Sequence, residues 1–351
     1  MDKKIIILGV ITLGIYASVQ AEAVRNYLSI VGSSTVYPFS SVVAERIGKA
    51  EKLKTPKVES IGTGGGIKLF CEGIGAAYPD IANTSRKMQK SEFDACQKAG
   101  ITEIAEVKIG FDGIILAYSK ESKFKFKLTL KEIYLALAKR IPDPTAPEST
   151  TLVENPYHTW NEINPILPKT QIEVLGPPPT SGTRDVLAEL ALEAGCQSFS
   201  WLKAKKDKDK IFFQNVCMTI REDGAYIEAG ENDNVIVKKI SSRPTTLGIF
   251  GYSYLDQNKD KVDAAEVDGV EPTYDNIFNG KYPLSRPLYL YVKKSHIGLI
   301  PGMLEYIAEL TSEKAFGEEG YLVEKGLIPL PAEERKKITA EAKHLKSVTI
   351  Q

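Results

Sequence analysis

Val31-Gly32-Ser33-Ser34-Thr35-Val36-Tyr37-Pro38-Phe39 and Ile61-Gly62-Thr63-Gly64-Gly65-Gly66-Ile67-Lys68 share one design. Each leaves a short apolar run, residues 28–31 and 58–61, and passes through small hydroxyl-bearing or glycine residues. Each then enters a helical pattern, 37–49 and 67–72. A third segment, Gly176-Pro177-Pro178-Pro179-Thr180-Ser181-Gly182-Thr183-Arg184-Asp185, connects an apolar run at 172–175 to a helical pattern at 185–194 in the same way. Strands alternating with helices predict an α/β protein with a largely parallel sheet.

The turns share a chemistry as well as a shape. The first turn of a helix exposes unpaired N–H donors and carries partial positive charge. Glycine lets an oxyanion approach the backbone, and Ser and Thr hydroxyls add donors. Such turns hold an anion without a cluster of lysines. Taken singly, each also reads as ordinary helix capping or turn chemistry. Three of them, drawn from both halves of the chain, point to an anion site. None matches a nucleotide-binding glycine loop.

Further strands are expected at 81–83, 104–109, 113–118 and 247–251, and a helix at 128–139 carries Leu130, Ile133, Tyr134 and Leu137 on one face. Residues 141–159, rich in Pro and Thr, predict an irregular loop. The lysine-rich run 203–210 reads as a solvated face. The alternating 286–292 reads as a return strand, and helices at 301–310 and 332–345 close the chain. This order suits a chain that crosses twice between two lobes, with a cleft at the crossing.

Lys3 and Lys4, the apolar run 5–13 and Ala21-Glu22-Ala23 have the layout of a cleaved secretory leader, too short to span a bilayer. The remaining chain, roughly 330 residues, is long enough for two cores. With 45 basic and 45 acidic residues the net charge is zero, which argues against nucleic acid as a partner. Anion specificity then has to come from a local site. Four cysteines, Cys71, Cys96, Cys196 and Cys217, read as disulfides in an exported chain. Three pairings exist; the spacing favours Cys71–Cys96 and Cys196–Cys217, each bridge worth about 3 kcal/mol. The three scattered histidines and the lack of a C-x-x-C leave no metal-ligand pattern, and no serine–histidine constellation suggests a hydrolase.

A fourth segment, Asp80-Ile81-Ala82-Asn83-Thr84-Ser85-Arg86, also ends a strand in hydroxyls and an arginine. Arg86 and Arg184 offer forked donors that match two oxygens of a tetrahedral oxyanion. With these segments in order, and with Arg221-Glu222-Asp223-Gly224-Ala225-Tyr226-Ile227-Glu228-Ala229-Gly230, the sequence resembles the periplasmic phosphate-binding proteins of Pst-type importers over nearly the whole mature chain.

The resemblance implies a type II periplasmic-binding fold, with lobe I formed by 24–115 and 286–351, lobe II by 116–285, and hinge strands at 113–118 and 286–292. It implies a periplasmic, monomeric carrier with no catalysis and no cofactor, closing on inorganic phosphate and delivering it to the membrane permease subunits of an ABC importer. The ligand set it implies is Thr35, Thr63, Ser181, Gly182 and Thr183, with Ser34, Gly64 and Gly65 beside them. Two departures matter. Members carry an aspartate, acceptor for the proton of hydrogen phosphate, where Ser85 stands, and an arginine where Pro177 stands. Asp112, beside the hinge, is nominated as acceptor, with Asp223 second; Arg184, assisted by Arg86, is nominated as the cation. An acceptor rejects sulfate, which has no proton to offer. Sulfate, molybdate and phosphonate remain alternative ligands for the same architecture.

Overall fold

The computed structural model describes residues 25–348 except 51, 52, 180, 231, 343 and 346. The leader expected at 1–23 and Thr180 of the third turn lie outside the described residues.

Nine strands form one twisted sheet: β1 (Ser29–Gly32), β2 (Lys57–Ser60), β3 (Ile81–Thr84), β4 (Ile104–Ser119), β5 (Val174–Gly176), β6 (Tyr226–Glu228), β7 (Leu247–Gly251), β8 (Val262–Ala264) and β9 (Ser285–Lys293). Their order is β2-β1-β3-β9-β4-β7-β5-β6, with β8 also on β4. The outer groups, β2-β1-β3 and β7-β5-β6, are parallel. β4 and β9 are antiparallel to their neighbours.

β4 organises the molecule. The sequence suggests two strands here, 104–109 and 113–118; the chain instead stays extended for 16 residues. Its first half, to Gly113, pairs with β9, and its second half, from Ile114, pairs with β7. A register shift between Leu288 and Tyr289 absorbs the irregularity at Gly110, as a bulge does when it bends a strand. The crossing is therefore a single strand with β9 alongside.

The alternation of β9 now has a physical meaning. Leu288, Leu290 and Val292 enter a core with Ile30, Val43 and Tyr306, whereas Tyr289 and Tyr291 enter a second with Ile67, Phe70 and Met88 on the opposite face. A third and larger core, with Leu116, Tyr134, Trp160, Leu187 and Phe250, lies on the far side of the crossing. The two disulfides join Cys71 to Cys96 and Cys196 to Cys217, one beside each of the latter two cores.

The first helices in chain order are α1 (Tyr37–Ala50), α2 (Thr63–Phe70), α3 (Lys90–Lys98) and α4 (Leu130–Leu137). They are followed by α5 (Gly182–Val186), which continues through a wider turn at Leu187–Leu192 to Cys196. α4 starts later than the sequence suggests because Thr129 caps it: its hydroxyl accepts from Glu132 N at 3.1 Å, and the Glu132 carboxylate accepts from Thr129 N at 2.7 Å. The expected loop 141–159 holds a small hairpin, Arg140–Pro142 against Leu152–Glu154. α5 begins three residues before the expected 185, directly after Ser181. Residues 203–210 are exposed, as a solvated face requires.

Candidate functional site

A cleft of about 470 Å³ opens where β4 and β9 cross, lined by Ser34, Thr35, Asp112, Ser181, Gly182 and Thr183. Six residues expected at the site thus come together from three separate segments. The β1–α1 turn needs its glycine: Gly32 has φ of +134°, and a Cβ there would stand 2.2 Å from the Asn83 carbonyl oxygen. Facing it, Ser181 holds the N-cap position of α5 yet makes no side-chain capping bond. Ordinary capping therefore does not account for that hydroxyl. Gly182 marks the closest approach of the two turns, because a Cβ on it would lie 3.1 Å from Thr35 Cα.

Charged groups floor the cleft. Asp112 and Arg286 are register partners on β4 and β9. Asp112 Oδ2 is shut off from solvent and has no hydrogen-bond partner, although the residue as a whole keeps some exposure. Burial raises its carboxyl to about 6, against a smaller lowering by Arg286 and the Gly113 N–H and a further rise from Glu189. Arg286 is buried. Its Nη2 donates to Thr35 Oγ1 at 2.6 Å, its Nη1 donates to the Glu189 carboxylate, and its Nε is unpartnered. The Ser34 hydroxyl donates to Asp185 on α5, whose carboxyl is also pushed up, by burial first.

The remaining expected residues stand elsewhere. Thr63, at the start of α2, shares a 3.0 Å hydrogen bond with the Ser85 hydroxyl and accepts from Ser85 N at 3.1 Å. Gly64 and Gly65 are exposed beside it. These three and Ser85 form a separate hydroxyl-rich corner outside the cleft lining. Arg86 is engaged by Glu92 through two bonds of 2.9 and 2.7 Å, which hold its guanidinium at the start of α3. Arg184 lies over the Tyr226 ring, 4.2 Å from its centroid, with Nη1 donating to the Pro177 carbonyl at 3.4 Å. Asp223, itself exposed, accepts from the buried Arg221 at 2.8 Å, and that arginine also donates to the Tyr157 carbonyl; Asp223 is not among the residues lining the cleft.

In the sequence Arg286 marks only the start of a strand. Its signal is an arginine opening an otherwise apolar run, Arg-Pro-Leu-Tyr-Leu-Tyr-Val, since a charge on a buried strand requires a partner. Asp185 and Glu189 carry no comparable signal; both look like ordinary surface positions of a helix.

A second cavity, about 630 Å³, lies beside the cleft among Tyr252, Tyr274, Leu327 and Pro329. It is lined chiefly by aliphatic, proline and tyrosine side chains and is not faced by the Ser/Thr turns, so the smaller, more polar cleft is the candidate anion site.

Two α/β lobes, two crossing strands and a polar cleft at the crossing define a two-lobed ligand-binding protein. Residues 17–314 match the model of the PBP superfamily domain, and the chain belongs to that family. Its fold is the type II periplasmic-binding-protein fold. It is 29% identical over 340 residues to protein SphX of Synechococcus elongatus, covering 93% of this chain and 84% of that one. It is 29% identical over 308 residues to the phosphate-binding protein PstS of Staphylococcus saprophyticus, covering 86% and 79%. Among solved structures, a possible phosphate binding protein from Planctomyces limnophilus superposes with a TM-score of 0.68 at 26% identity, covering 91% of this chain and 99% of that one. An ABC-type phosphate transport receptor from Vibrio cholerae shares the fold, with a TM-score of 0.53 at 20% identity, covering 87% and 100%. Among the described residues no helix is long and apolar enough to cross a membrane.

Proposed function

We propose that the chain captures inorganic phosphate in this cleft and hands it to the permease subunits of an ABC importer. The observation that carries the reading is Asp112, a carboxylate whose solvent-shielded Oδ2 has no partner and whose residue lines the cleft. An orphaned buried acceptor calls for a donor, and hydrogen phosphate brings one while sulfate does not. The PstS relative, a phosphate-binding protein by name, supports the same ligand.

In this reading Ser34 and Thr35 meet the anion from lobe I, built from 24–115 and 286–351. Ser181, Gly182 and Thr183 meet it from lobe II, 116–285, as the lobes close about β4 and β9. Arg286 is the cation of the site in place of Arg86 and Arg184. The Thr63, Gly64, Gly65, Ser85 corner contributes at the rim. Closure strips water from the anion and strengthens each charge-assisted bond. The carrier works as a periplasmic monomer and performs no catalysis.

Calorimetric titration of the mature chain with inorganic phosphate, alongside incubation with a chromogenic phosphate ester, tests this. Saturable one-to-one binding without ester turnover is expected. Turnover, or no binding, overturns it.

A further inference from the structure

Two of the donors suited to an anion, the Ser34 hydroxyl and the Arg286 guanidinium, are already engaged by carboxylates. Ser34 and Thr35 line the cleft, and Arg286 is bonded to Thr35 behind that lining. Ser34 donates to Asp185, and Arg286 donates to Glu189. Asp185 and Glu189 sit four positions apart, on successive turns of the α5 helix and its continuation, so both carboxylates project from one helical face. Ser34 lies in the β1–α1 turn and Arg286 on β9, whereas Asp185 and Glu189 come from the α5 helix and its continuation on the other side of the cleft. The contacts therefore also tie the two sides of the cleft together.

Resting on the phosphate reading above, we propose that Asp185 and Glu189 are built-in competitors of the anion, and that phosphate binds by taking the Ser34 hydroxyl and the Arg286 guanidinium from them. Arg286 can make that exchange without moving its side chain far, because Thr35 anchors Nη2 while Nε has no partner to lose. Glu189 can release it cheaply, because its side chain is 46% exposed and returns to water. Measured affinity is then the difference between anion binding and carboxylate binding at the same donors. Asp112 and Asp233 line the cleft as well, so the two carboxylates add to the negative charge near an incoming anion, and removing either one lowers the repulsion. Weakened capture is the cost, and easier release of phosphate to a downstream acceptor is the gain.

Phosphate titration of Glu189→Gln and Asp185→Asn against the wild type at one ionic strength tests the competition. Glu193→Gln, on the same helix and paired outward with Lys206 at 2.7 Å, removes the same charge away from the cleft. Each cleft variant is expected to bind phosphate about tenfold more tightly, as loss of one nearby charge at an intermediate dielectric implies, with Glu193→Gln unchanged. Should either cleft variant fail to fold, the other carries the test, with thermal unfolding as the check. Wild-type binding with no tightening in a folded cleft variant overturns the competition and leaves the phosphate reading standing. Tightening of Glu193→Gln to the same degree overturns it too, as an effect of net charge. Absence of phosphate binding in every protein removes both.

Discussion

Asp112 and Arg286 face each other across the two crossing strands, and each keeps one buried polar atom, Oδ2 and Nε, without a partner. A buried acceptor and a buried donor left unmade each cost free energy that packing does not recover. Native structures keep few such groups, and in the proposed reading it is the bound anion that completes the bonding at this pair.

Replacing Arg286 by Ala is expected to weaken phosphate binding at least tenfold, because loss of a buried charge-assisted partner typically costs 2–5 kcal/mol, of which only part falls on the ligand. The rest falls on stability, since Asp112 is left without its neighbouring cation. Calorimetry and thermal unfolding of the same variant separate the two. Binding within twofold of wild type would remove Arg286 from the site.

Arg86→Ala is expected to leave phosphate affinity within about twofold and to lower stability by no more than about 1 kcal/mol. Its guanidinium serves Glu92 at the α3 start, and a partly exposed ion pair contributes little. A large loss of affinity would return Arg86 to the ligand shell.

Asp112 makes stability fall as pH rises. Its folded carboxyl titrates at about 6, above the unfolded value near 3.9, so the native state favours the proton. The stabilising contribution is complete below about pH 4 and lost as pH climbs through about 6, a difference on the order of 3 kcal/mol. Asp112→Asn cannot ionise. Without phosphate, its melting temperature is expected to gain on wild type between about pH 4 and 7 and to hold that gain above. Parallel pH profiles for the two proteins would contradict the burial of this carboxyl.

The strand–turn–helix segments exposed the fold because each turn is local: Gly32 and Ser181 announce themselves within a few residues of the elements they join. Ser34, Thr35 and the 181–183 turn were legible for the same reason. Asp112 was legible only as a carboxylate beside an expected hinge. Arg286 was not, because its role depends on a register that sets it against Asp112 and on a bond to Thr35, 251 positions away. Arg86 stands out in the sequence on residue type alone. Its fate lies in Glu92, three residues after Gln89, where a capping box draws the guanidinium to the helix start.

Phosphate binding with sulfate as competitor, followed across roughly pH 5 to 8, bears most directly on Asp112 as the acceptor of the ligand's proton. At the upper end, excess sulfate is expected to leave phosphate in place, because an ionised Asp112 repels a fully deprotonated anion. As pH falls through about 6, Asp112 gains its own proton, and sulfate is expected to begin to compete. Asp112→Asn should admit sulfate at every pH. Sulfate exclusion that persists in the Asn variant, or that ignores pH in the wild type, would contradict the assignment.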